Sequence, residues 1–118
     1  MAFTVTHPLA RPPTFPELKA LAGQHEVQID GNELAGAFFH PGREQPRAKG
    51  NYAIEPSGEV RGDFTGHVMG KLTGDFVFTA GNAEITITEK PFLLPEAVLR
   101  LKLSEALKEF CAKFPPVA

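Results

Sequence analysis

A chain of 118 residues, 42% hydrophobic and 22% charged, suits one folded domain over 1–118 and shows no sign of disorder or of a second domain. A formal net charge of −2 argues against nucleic acid as a partner, because such proteins carry a basic excess or stripe. The lone cysteine, Cys111, excludes an internal disulfide, and no apolar run approaches the length of a membrane span.

Residues 1–13 lack the charged-then-apolar order of a secretory signal, so the expected address is the cytoplasm. Residues 3–6 alternate apolar and polar and predict a short strand, followed by a link carrying Pro8, Pro12 and Pro13. Thr14 and Glu17 then have the spacing of a capping box, in which each side chain satisfies the other's backbone amide. Leu18, Leu21 and Ala22 form the inward side of the short helix, with Gly23 as its stop.

From residue 26 to residue 89 the period changes to two. Val27 and Ile29 alternate with polar residues, Asp30-Gly31 predicts a tight hairpin turn, and residues 34–39 form the return strand. A polar loop is expected over 41–49, then a strand over 51–55, turned back by Pro56-Ser57-Gly58. Phe38 and Phe39 are adjacent in a strand, so only one can enter the same core face; the other must meet a second layer, a partner or a ligand, with burial beneath a loop or the N-terminal helix the favoured reading.

Glycine next recurs every fourth residue, at Gly58, Gly62, Gly66, Gly70 and Gly74. Positions two apart in a strand share a face, so Val60, Phe64, Val68, Leu72 and Phe76 alternate with these glycines on one side. The other side is mostly polar, and a break near Gly70 divides the run into two strands. Glycine weakens a strand unless the sheet bends there or something approaches closely. The missing side chains predict room for a helix, or for a ligand, against a curved sheet.

Gly81-Asn82 predicts a second hairpin turn, and Ala83, Ile85 and Ile87 mark the inward face of the last strand. After Pro95 the period becomes 3.6, with Leu99, Leu103, Ala106, Leu107, Phe110 and Phe114 in one stripe. Val98 and Leu101 fall off that stripe, which predicts a second apolar contact for the helix. The expected fold is α+β: a curved antiparallel sheet of six to seven strands on a long C-terminal helix, with a short N-terminal helix. That order resembles the helix-grip architecture of domains that bind lipids and other hydrophobic molecules.

The segment GKLTGDFVFTAGNAEITITEKPFLLPEAVLRLKLSEAL, residues 70–107, resembles the polyhydroxyalkanoic acid system (granule-region) family of small bacterial proteins. It combines a glycine-marked strand, a hairpin, a strand, the apolar bridge Phe92-Leu93-Leu94 and an amphipathic helix. The resemblance implies a non-catalytic accessory protein linked to storage-polyester metabolism.

His7, His25, His40 and His67 are spread without metal-ligand spacing, so no metal or cofactor is expected. Cys111 sits beside Phe110 and reads as a small core residue, not a nucleophile. Arg43, Arg47 and Lys49, interrupted by Glu44, read as a solvated loop without the aromatics of a nucleic-acid site. Three functions follow. The first is a non-enzymatic domain holding a small hydrophobic ligand or acyl chain between the sheet and the C-terminal helix, lined by Phe64, Val68, Phe76, Phe78, Leu103 and Phe110. The second is a homodimer or partner-binding module using a strand edge and Phe39, Val98 or Leu101. The third is an enzyme working through His67 and Asp63, which share a strand face.

Overall fold

A computed structural model describes residues 2–24, 26–40, 48–67 and 70–114. The chain order is β1 (Phe3–His7), α1 (Phe15–Gln24), β2 (Gln28–Gly31), β3 (Ala35–His40), β4 (Ala48–Ile54), β5 (Val60–His67), β6 (Lys71–Thr79), β7 (Asn82–Glu89) and α2 (Glu96–Ala112). The seven strands form one open antiparallel sheet in the order β1-β7-β6-β5-β4-β3-β2. The architecture is α+β, a curved sheet with both helices attached, as the periodicities predict. No helix among the described residues is long and apolar enough to cross a membrane.

The turns differ from expectation in instructive ways. The β2–β3 reversal falls on 32–34, not on Asp30-Gly31. Asn32 Oδ1 accepts from the amides of Leu34 (2.8 Å) and Ala35 (3.2 Å), so an Asx turn replaces the glycine turn. Gly31 instead faces Gly36 across the ladder, where the Tyr52 hydroxyl passes over both. The β6–β7 loop is Ala80-Gly81, one residue earlier than expected, with Gly81 at φ +110°. Strand β4 begins at Ala48, so Lys49 belongs to the ladder, opposite Thr65, and not to a loop. Arg43 and Arg47 lie outside the described residues. The Pro56-Ser57-Gly58 reversal and the break before Lys71 stand where the sequence places them, with Gly58 at φ +94° and Gly70 at φ +128°.

Helix α1 is entered through half of the expected capping box. The Glu17 carboxylate accepts from the Thr14 amide (3.1 Å) and hydroxyl (2.9 Å), and Arg11 grips the same carboxylate at 2.6 and 2.8 Å. The helix does not stop at Gly23. Val27 N–H reaches Ala22 O (2.8 Å) and Glu26 N–H reaches Gly23 O (3.4 Å), with Glu26 at φ +59°. This is a Schellman ending whose left-handed position is filled by a glutamate.

Helix α2 starts after Pro95, which stands at the N-cap position without a side-chain hydrogen bond, and buries Leu99, Leu107 and Cys111. With Phe114 these pack on Phe3, Val5, Leu72, Phe78, Ala83 and Ile87 from the β1-β7-β6 side of the sheet. The Arg100 guanidinium lies 4.7 Å from the centroid of the Phe3 ring, tying α2 to β1. Leu9 is also core: it exchanges backbone hydrogen bonds with Gly81 and so seals the end of the sheet. Val98 and Leu101 are exposed, so the expected second apolar contact of α2 is not made within the described residues.

A candidate apolar groove between the helices

Antiparallel register places Phe38, Gly50, Phe64 and Gly74 in one row across β3 to β6. The next row reads Gly36, Tyr52, Gly62 and Phe76. Large side chain and glycine therefore alternate both along the strands and across them. Each ring leans into the neighbouring slot. A Cβ built on Gly74 would stand 2.7 Å from the Phe64 ring, one on Gly36 would stand 2.7 Å from the Tyr52 hydroxyl, and those on Gly50 and Gly62 would overlap the rings of Phe38 and Phe76. The glycines thus accept rings from adjacent strands, an arrangement in which aromatic side chains shield exposed glycine backbone. The rings lie low on the sheet, and space remains above them.

That space is a cavity of about 240 Å³, lined by Phe38, Val60, Phe64, Phe76, Phe78 and Ile85 from the sheet and roofed by Leu18, Leu21 and Ala22 of α1. Val27, Ile29 and Tyr52 complete the wall. Among the described residues of the lining, Tyr52 carries the one polar side-chain group, and its hydroxyl is already used, donating to Asn32 O at 2.8 Å. Burial, with the carboxylates of Asp30 and Glu33, pushes the Tyr52 phenol above its ordinary pKa and keeps it neutral. Leu21, Phe78 and Ile85 also border a second hollow of about 360 Å³, whose far wall is Ala106, Leu107, Glu109, Phe110 and Lys113 of α2. The two hollows therefore lie side by side across the sheet face between α1 and α2, with Leu21, Phe78 and Ile85 bordering both. Phe38, Phe76, Phe78, Phe110 and Phe114 follow them as a chain of ring contacts with centroid separations of 4.8–6.1 Å.

The residues expected to line a ligand site are partly brought together. Phe64, Phe76 and Phe78 line the inner cavity, and Phe110 lines the outer hollow beside Phe78. Leu103 is half-buried against the core beneath α2. Val68 lies outside the described residues. The main correction concerns the roof, which comes from α1, because α2 sits toward β1 and leaves the middle of the sheet to the shorter helix. The inward side Leu18, Leu21 and Ala22 was visible in the sequence; its position over Phe64 and Phe76 was not.

The remaining candidates separate. Phe38 is the inward member of its pair, and Phe39 faces away with Lys49, Asn51 and Thr65. Asp63 accepts from the Asn51 amide and side chain at 3.3 Å, opposite Asp75, while His67 stands at the strand end opposite Lys71. Four residues of strand, about 13 Å, keep Asp63 and His67 apart. No cluster of three metal-ligating side chains exists among the described residues. Cys111 is buried, and burial raises its thiol pKa, the opposite of nucleophile activation.

No protein-family model, curated protein or solved structure matches this chain.

Proposed function

We propose that this domain is a non-enzymatic binding module that holds a small apolar ligand, such as an acyl chain, in the groove between the sheet and α1. One observation carries the reading: among the described residues, the side chains lining the cavity are hydrocarbon, apart from a Tyr52 hydroxyl already satisfied by Asn32. An enclosed apolar cavity of about 150 Å³ takes up benzene-sized molecules, and this half-open hollow of about 240 Å³ suits a somewhat longer apolar group. Filling it restores dispersion contacts that the facing rings lack. A charged head group would lose hydration inside at a cost of several kcal/mol, roughly, and so stays at the outer hollow, where Glu109 and Lys113 supply polar contacts. The resemblance over 70–107 adds the acyl units of storage-polyester metabolism as the ligand source.

Native mass spectrometry of freshly purified protein, followed by denaturing extraction, tests the proposal. A co-purifying apolar molecule near one per chain is expected, and Ala22→Phe, which pushes a ring into the roof, expels it while the far-ultraviolet spectrum is retained. A bare chain mass that also fails to take up added medium-chain fatty acid contradicts it.

A further inference from the structure

The two helices are held to the sheet very differently. Helix α2 buries Leu99, Leu107 and Cys111, and Phe114 just beyond it is also core. Helix α1 buries none of its ten residues; Phe15, Leu18, Leu21 and Ala22 are its inward side and stay half-buried. Leu18, Leu21 and Ala22 face the cavity, so they forgo the dispersion contacts that a filled core would give them. The helix backbone comes close chiefly to β2, the four-residue edge strand that follows it. Ten residues with a glycine among them are too few to form a stable helix alone in water, so α1 is helical because it is docked. Its fastenings lie at its two ends. At the first turn Arg11 grips the Glu17 carboxylate at 2.6 and 2.8 Å, and the same guanidinium lies 5.7 Å from the centroid of the buried Phe114 ring. Arg11 thereby ties the start of α1 to the end of α2. At the last turn the Val27 amide, bonded to Ala22 O, joins α1 to β2.

We infer that α1 is the lid of the groove: it leaves the sheet as one unit while the sheet and α2 stay folded, with the Arg11–Glu17 pair as its latch and the junction at Val27 as its hinge. The inference rests on the reading of the groove as a binding site. Elements with few buried apolar contacts open locally, far more often than the whole fold unfolds. A roof that opens in this way admits an apolar molecule without exposing the core beneath α2. The latch sets how often it opens, because without it half-buried contacts alone hold the start of the helix.

Amide hydrogen exchange on the full, ligand-free chain tests the inference. The amides of α1 are expected to be on the order of a hundredfold less protected than those of β6 and β7. Ile87 is fully buried, lies between Phe3 and Gly74 in the ladder, and does not line the groove. Ile87→Val should speed exchange in β6 and β7 by about two- to tenfold and leave that of α1 unchanged, because the lid opens with the core intact. Glu17→Gln should speed exchange in α1 by about two- to tenfold. Equal protection of α1 and the two strands, or an Ile87→Val variant that speeds both alike, would mean that α1 opens only with the whole fold, and overturns the lid. A Glu17→Gln variant whose α1 exchanges as in the parent overturns the latch. Both results are read without ligand, so they stand apart from a failure of the binding reading, which the native mass spectrum decides.

Discussion

The phenyl ring of Phe76 lies across the α-carbon of Gly62 on the neighbouring strand, so closely that a methyl group at residue 62 would occupy the ring's place and crowd the Asn51 carbonyl. Overpacking of this kind costs about 1–3 kcal/mol. Gly62→Ala is therefore expected to lower stability by that amount in urea denaturation, and to disturb the groove floor, because a displaced Phe76 enters the cavity it lines. A neutral effect would show that the ring is not held in the glycine slot.

The C-terminus of α1 predicts the opposite sign. Gly23 sits inside the helix, and a Cβ there meets nothing within 4 Å, so Gly23→Ala should stabilise by about 0.5–1 kcal/mol. Glu26 occupies the left-handed position that glycine prefers, and Glu26→Gly should also stabilise, by up to about 1 kcal/mol. Exchanging the two residue types by the usual rule of a glycine stop at 23 predicts neither result. Thermal midpoints of the two single variants distinguish the readings.

Glu17 fastens α1 to the N-terminal link and supplies a pH dependence. The hydrogen-bonded Arg11 guanidinium, aided by Thr14, lowers its carboxyl from the ordinary 4.5 to about 2. Above about 4.5 the carboxylate is ionised in both the folded and unfolded chains, and the full contribution is present. As pH falls from there toward about 2 the unfolded chain binds the proton first, and the contribution is lost. Glu17→Gln lacks this dependence. Its thermal midpoint should lie below the parent's at neutral pH and meet it near pH 2, whereas curves that stay parallel would deny Arg11 this role.

Leu107 and Leu101 lie on the same helix with opposite surroundings, one buried against the sheet and the other in solvent. Leu107→Ala should cost about 2–5 kcal/mol. Leu101→Ala should stay within about 0.5 kcal/mol. Equal effects would mean that α2 is rotated from the orientation described.

Much of the fold was legible because its signals are local. The period-two runs, the turns at Gly58 and Gly81 and the stripe through Leu99, Leu107 and Phe114 each depend on near neighbours, and all appear close to where the sequence puts them. The glycine repeat was legible as a pattern but not as a structure. Its meaning depends on register, which sets Gly50 against Phe64 and Gly62 against Phe76 across successive strands, and the exact pairing is fixed by the turns between them and not by the repeat itself. Gly31 was misread for the same reason: it serves the passage of Tyr52, contributed by a strand two places away, and the turn itself belongs to Asn32. The roof of the groove was legible only as the chance that the N-terminal helix covers one of Phe38 and Phe39. Leu18, Leu21 and Ala22 mark an inward face, but only the docking of α1 decides which part of the sheet they cover.

The central claim is that the groove between α1 and the glycine-marked sheet takes an apolar ligand. A methyl-resolved nuclear magnetic resonance titration with a medium-chain fatty acid tests it most directly, because the protein carries reporters in both places. Binding in the groove should shift the methyl signals of Leu18, Leu21, Ile29 and Ile85, which line the cavity, and leave those of the exposed Leu34 and Leu93 in place. Saturable shifts in the first set alone are the predicted result; no shifts, or shifts confined to Leu93 and its neighbours, would contradict the claim.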